Sequence, residues 1–141
     1  MSYFQSSDEL KQILGGFFET MQTDPDLGPR VRAAEVFVTF FLSDPDLEIT
    51  VDGVDPAPDG LAFALHYGAP PAVAPLSLTL SADTAHVFWQ GRLNVMMALA
   101  QQQIAIAGSA GRVFTLLPVV QPAFERYRAY LTEIGRADLL V

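Results

Sequence analysis

Residues 81–120, SADTAHVFWQGRLNVMMALAQQQIAIAGSAGRVFTLLPVV, decide the reading of this chain. The stretch parses as a short helix, a tight Gly-Arg-Leu-Asn connection, a second apolar helix, a short strand, a glycine turn and a third apolar helix. It carries almost no charge, with one arginine at each turn, Arg92 and Arg112. Such a composition suits an apolar pocket and is poor material for an active site. Phe88, Trp89, Leu93, Met96, Met97 and Leu99 fall on the first two helices and their connection, and they face Ile104 and Ile106 on the strand and Val113, Phe114 and Leu117 on the third helix. Taken together, this apolar excess favours a cavity. Two adjacent methionines add adaptable, polarizable lining.

The capping residues fix the boundaries. Ser81 or Asp83 caps a helix that runs to about Gln90, and Gly91 suits its C-terminal turn. Asn94 caps the next, and Gln103 to Ala107 is strand. Gly108 to Gly111 turns the chain into a helix from Arg112 that Pro118 is expected to end or kink. Pro122 then opens a last helix, which Gly135 closes, with Phe124, Tyr127, Leu131 and Ile134 as its buried stripe.

Upstream, Ser6 and Glu9 have capping-box spacing. Leu10, Ile13, Leu14, Phe17, Phe18 and Met21 follow with helical periodicity. Gly15 and Gly16 interrupt that helix and open the way to close approach by another element. Asp24-Pro25 stops it, and residues 25–34 form a short second helix with Pro29 in its first turn. The period then changes to two. Val36 to Leu42 is β-rich, Leu47 to Val51 alternates, Leu61 to Tyr67 alternates, and Leu76 to Ser81 alternates, separated by turn chemistry. Five strands with helices around them make an α+β fold. No linker or charge run divides residues 1–141, so the expectation is a single domain.

Composition narrows the function. Half the residues are apolar and only 17% are charged, more apolar surface than a solid core must hold. The surplus lines a cavity or a homodimer interface. A formal net charge of −8 argues against nucleic acid and against strong attraction to anionic headgroups. There is no cysteine, hence no disulfide, thiol nucleophile or thiolate site. No run approaches the ~18 apolar residues of a membrane span, and no secretory or peroxisomal address is recognisable. The expected location is the cytoplasm.

Motifs for chemistry are weak. His66 and His86 are the only histidines and lack metal-ligand spacing, so they read as surface or pocket-rim residues and no metal or cofactor is expected. The loop with Asp52, Asp55 and Asp59 lacks the glutamate of a calcium loop and holds two prolines. Gly108-Ser109-Ala110-Gly111-Arg112 is a tight turn rather than a phosphate loop, although Arg112 is placed to meet an anionic headgroup. Ser81, Asp83 and His86 form no hydrolytic triad. The chain reads as a non-enzyme. The alternatives are an interaction or dimerisation module with a filled core, and a small cavity-type isomerase or cyclase using Asp59, His66 or His86.

The order of these elements resembles the sterol carrier protein type 2 family of small lipid-binding domains. The residues carrying it are Phe88, Gly91, Leu93, Asn94, the Ile104-to-Gly108 strand and turn, and Leu116-Leu117, within a match that spans nearly the whole chain. The resemblance implies a mostly antiparallel five-stranded sheet covered on one face by helices, with an apolar tunnel between the layers that takes a fatty acyl chain, sterol or similar lipid as carrier or sensor. It implies Phe88, Leu93, Met96, Met97, Leu99, Ile104, Ile106, Phe114 and Leu117 as the tunnel wall, and these nine are the candidate ligand-binding residues. It also marks departures. The chain is acidic, lacks a peroxisomal tail, and has Met96-Met97-Ala98 where a more aromatic segment is expected.

Overall fold

The computed structural model describes residues 2–141. Five strands form one sheet: β1 (Phe37–Ser43), β2 (Leu47–Asp52), β3 (Ala64–Tyr67), β4 (Leu76–Ser81) and β5 (Ile104–Ala107). Their spatial order is β3-β2-β1-β4-β5. Three pairings are antiparallel, and β1 and β4 run parallel through the middle, with Val38 opposite Leu76 and Phe40 opposite Leu78. A parallel neighbour needs a crossover, and the connection 68–75 provides it, carrying the chain past β2 and β1.

Alternation gives the sheet two unlike faces. Val38, Phe40, Ile49, Val51, Leu76, Leu78, Leu80 and Ile104 point one way and meet the helices. The other face presents Thr39, Thr50, Ser77 and Thr79. Thr39 and Thr50 are opposite each other and their hydroxyls lie 2.7 Å apart, so these two buried oxygens satisfy one another.

The helices are α1 (Ser7–Leu10), a π-helical turn (Lys11–Gly15), α2 (Gly16–Thr23), α3 (Leu27–Ala33), α4 (Ala82–Trp89), α5 (Val95–Ala100) and α6 (Ala110–Glu133). Side-chain oxygens of Ser6, Ser81, Asn94 and Ser109 cap α1, α4, α5 and α6, each accepting from an N–H three residues on. Asp83 is not the cap of α4; its carboxylate accepts from the N–H of Tyr3 at 2.9 Å and holds the N-terminal arm. Helix α2 packs on α3 and β3, α4 on β1, β4 and α6, α5 on β5, and α6 on α3.

Gly15 and Gly16 are points of contact. A Cβ on Gly15 would lie 2.5 Å from the Tyr67 hydroxyl, and one on Gly16 would lie 2.6 Å from that of Tyr130. Gly108 has φ +113°, and a Cβ there would sit 2.6 Å from the Pro75 carbonyl. Only glycine turns β5 into α6 at this place.

Three sequence expectations need correction. The third strand begins at Ala64 rather than Leu61, because the preceding backbone is spent on helices. The Ala62 N–H donates to the Gln22 carbonyl, the Ala62 carbonyl accepts from Arg32, and the Phe63 carbonyl accepts from the Gln22 amide. Secondly, Pro118 and Pro122 do not end a helix; both lie inside the 24-residue α6. They remove the donors for the carbonyls of Phe114 and Pro118, which sit one turn apart on an exposed stripe where water can take over. The buried stripe of Val113, Leu116, Ala123, Tyr127 and Leu131 runs through without a break, and its packing outweighs the local cost. Finally, Ile134 is exposed instead of ending that stripe.

Candidate functional site

Strand parity and helix periodicity together leave a hollow between the layers. From the sheet, Val36, Val38, Phe40, Leu76, Leu78, Leu80 and Ile104 wall it; from above, Ala85, Phe88 and Trp89 of α4, Val95 and Leu99 of α5, and Val113, Leu116, Leu117 and Val120 of α6. Every one is apolar and none titrates. The cavity measures about 70 Å³. A second apolar void of about 40 Å³ lies toward α2 and α3, between Phe18, Met21, Leu27, Val31, Val51 and Phe63. Both voids share Val36, Phe40, Trp89 and Val120 as walls, so these four side chains divide one hollow into two. Trp89 is central: the rings of Phe17, Phe18, Phe40, Phe88 and Phe124 all come within 6.4 Å of it, centroid to centroid.

At the cavity's end near the start of β4, a surface cleft of about 760 Å³ opens. Ala33, Ala34 and Glu35 at the end of α3, Phe37, Val54, Pro75, and Ser109 and Arg112 of the α6 cap line it. Leu76 and Leu116 belong to both cleft and cavity. Arg112 is held in place, its Nη2 donating to the carbonyls of Ala34 and Glu35, where it caps α3 from the side.

His86, Tyr67 and Asp52 lie outside both cavity and cleft. His86 is fully buried, with Nδ1 2.8 Å from the Tyr127 hydroxyl and Nε2 2.7 Å from the Leu139 carbonyl. A carbonyl only accepts, so Nε2 carries the hydrogen and Nδ1 accepts from Tyr127. Burial pushes the His86 pKa down from 6.5, against the opposing pull of the Leu139 carbonyl and of Asp83. Burial also pushes Tyr67 up to about 12, helped by Glu19. For Asp52, burial works upward, but the N–H groups of Asp55 and Val54 that its carboxylate accepts hold it below the usual range. This acidic loop therefore closes on itself.

A five-stranded sheet of this order, with a parallel β1–β4 seam and helices α4, α5 and α6 over it, superposes on several solved structures. The chain has the sterol carrier protein 2 fold. Sterol carrier protein 2 from Yarrowia lipolytica (apo form) superposes with a TM-score of 0.61 at 16% identity, over 79% of this chain and 89% of that one. The sterol carrier protein domain 2 of Helicoverpa armigera gives 0.62 at 19% identity, over 89% and 97%. The UbiJ-SCP2 ubiquinone synthesis protein gives 0.56 at 9% identity, over 87% and 95%. No family model matches the sequence, and no curated protein matches it.

Within the sterol carrier protein 2 fold, the nine candidate residues divide. Phe88, Leu99, Ile104 and Leu117 line the cavity. Leu93 and Ile106 are half-buried beside the core but outside the cavity wall. Met96, Met97 and Phe114 are 66%, 54% and 38% exposed and lie on outer surfaces, because Val95, Ala98 and Leu99 form the inward side of α5. The wall is wider than the sequence alone suggests. It includes Val38, Phe40, Leu76, Leu78 and Leu80, whose strict alternation marks one apolar sheet face. Trp89 and Val113, part of the apolar set in the sequence, line it as well, and so do Leu116 and Val120, which share the helical period of Leu117. Nor is His86 at a surface or pocket rim: it is a satisfied core histidine. Among the described residues, no helix is long and apolar enough to cross a membrane.

Proposed function

We propose that the protein binds an apolar or amphipathic small molecule, a fatty acyl chain, sterol or similar lipid, between its sheet and its helices, and acts as a carrier or sensor without turning the ligand over. The observation that carries this reading is the hollow whose walls are apolar throughout, bordered across two leucines by a cleft that holds Glu35, Ser109 and Arg112. Burial supplies the affinity, at about 25 cal/mol per Å² of apolar surface removed from water. The names of the structural neighbours, sterol carrier proteins, support the same class of cargo.

The hollow is narrow. At about 70 Å³ it is less than half the ~150 Å³ that accepts a benzene ring. Uptake of a chain therefore requires Phe40, Trp89 and Val120 to part and join the two voids. No acid or base faces this space, which favours carriage over catalysis.

A titration of the delipidated protein with dodecanoic and hexadecanoic acids and with cholesterol, followed through Trp89, tests the proposal. It predicts a saturable fluorescence change at one ligand per chain. Ala85 lines the cavity, so Ala85→Leu should fill the space and weaken binding at least tenfold in a protein that still unfolds cooperatively. A flat response in the wild-type protein with all three ligands, or full binding by Ala85→Leu, contradicts the proposal.

A further inference from the structure

The cavity itself offers nothing to hold a polar head group, yet its two shared walls, Leu76 and Leu116, lead directly to a cleft that does. We propose that the cleft seats the carboxylate of a long-chain acid on Arg112, while the chain passes between Leu76 and Leu116 into the apolar hollow. This rests on the carrier reading above and names its ligand class.

Three observations point to the acid. Arg112 is fixed by one nitrogen only: Nη2 donates to the Ala34 and Glu35 carbonyls. A guanidinium has five N–H groups, and among the described residues Nε and Nη1 have no hydrogen-bond partner. Nor does any carboxylate pair with Arg112, in contrast to Arg30, Arg126 and Arg136. An anchored, unneutralised arginine is pre-organised for an incoming anion. Secondly, the segment that supplies Ser109 and Arg112 brings no negative charge with it. Between Thr84 and Phe124 there is no acidic residue, and Arg92 and Arg112 are the only formal charges. Thirdly, the Ser109 hydroxyl lines the same cleft. Its oxygen accepts from the Arg112 N–H at 3.2 Å, leaving its own hydrogen to donate to a second carboxylate oxygen.

One group opposes the anion. Glu35 also lines the cleft, held there by a backbone at φ +53°. Its carboxylate repels a ligand carboxylate and sets an upper bound on affinity, so removing its charge should tighten acid binding.

The test compares dodecanoic acid with dodecanol, which share a chain and differ in the head group, at pH 8, read through Trp89 in the full chain. The wild-type protein should prefer the acid by about tenfold, the scale of one charged hydrogen bond. Arg112→Gln should bring the acid-to-alcohol ratio close to one. Arg112→Lys should keep part of the preference, and Glu35→Gln should increase it. Because Arg112 also caps α3, each variant is checked by its unfolding transition, and Glu35→Gln tests the charge argument without touching that cap. An unchanged ratio in a folded Arg112→Gln protein overturns the proposal, as does equal binding of acid and alcohol by the wild type; in either case the carrier reading stands. Absence of binding by both ligands overturns both.

Discussion

His86, Tyr127 and Gln90 occupy the buried end of α4, away from the cavity. The Gln90 amide donates to the Leu139 carbonyl at 3.1 Å and accepts from the Val141 N–H at 2.9 Å, while Phe4 meets the His86 ring edge-on at 5.1 Å. One neutral imidazole thus joins α4, α6 and both terminal segments. Its folded-state pKa lies below 6.5 because burial opposes the charged form. The unfolded chain therefore binds a proton that the folded one refuses, and stability falls as pH drops below 6.5, by up to ~1.4 kcal/mol per pH unit. Above 6.5 this contribution to the pH dependence vanishes. Urea midpoints should be level from pH 8 to 7 and decline between pH 6.5 and 5, and His86→Gln should flatten that interval. A wild-type midpoint that stays level down to pH 5 would refute the assignment. The sequence places this histidine on a helix, but nothing local tells a rim residue from a core one: its partners are 41 and 53 positions away.

At the scale of elements, the two N-terminal glycines make contrasting demands. A Cβ added at Gly15 would have three atoms of the Tyr67 side chain within 3.1 Å, whereas one at Gly16 would meet only the hydroxyl of Tyr130, the next atom being 3.8 Å away. Alanine gains roughly 1 kcal/mol of helix propensity at either place. At Gly16 the tip of Tyr130 can swing aside, so Gly16→Ala should be neutral or stabilising. At Gly15 the ring is held by its strand and by Lys11, whose ammonium lies 4.4 Å from the ring centroid, so Gly15→Ala should cost about 1–2 kcal/mol through overpacking. Chemical denaturation of the pair checks this; equal effects would contradict it. In α6, Pro118 is exposed and lacks the N–H that would bond the Phe114 carbonyl. Pro118→Ala should raise the thermal midpoint, with part of the ~3 kcal/mol helix penalty of proline offset by a looser unfolded chain. A lower midpoint would mean the proline ring packs as an essential contact. These elements are readable from caps, turns and periodicity. Their ends are not, because the backbone at residues 61–63 is claimed by α2 and α3, and the buried stripe of α6 overrides two prolines.

For the whole molecule, the five strands and the apolar surplus follow from pattern and composition, and the one-sided helical layer from the family resemblance. The position of the hollow follows only in part. Leu99, Ile104 and Leu117 point inward as their periods imply, but Met96 and Met97, the most suggestive lining by chemistry, turn outward because α5 is only six residues long and Ala98 takes its buried side. The sheet's contribution depends on which parity of each strand faces the helices, and that is a tertiary fact. The acidic balance is also a matter of placement, since the residues from Thr84 to Phe124 carry none of it. Surface ion pairs such as Arg126 with Asp24 and Asp26 join α6 to the segment before α3. With Arg126 itself 42% exposed, Arg126→Ala should cost no more than about 1 kcal/mol, and less at high salt.

The claim that organises this account is that the ligand lies inside, between sheet and helices. Methyl NMR during a dodecanoic acid titration addresses it directly. The account predicts that the methyl signals of Leu78, Leu99, Val113, Leu117 and Val120 shift together and saturate at one ligand per chain, while those of Val73, Leu140 and Val141 stay still. Shifts confined to the outward methyls of Met96 and Met97, with the cavity signals unmoved, would place the ligand on the surface and contradict it.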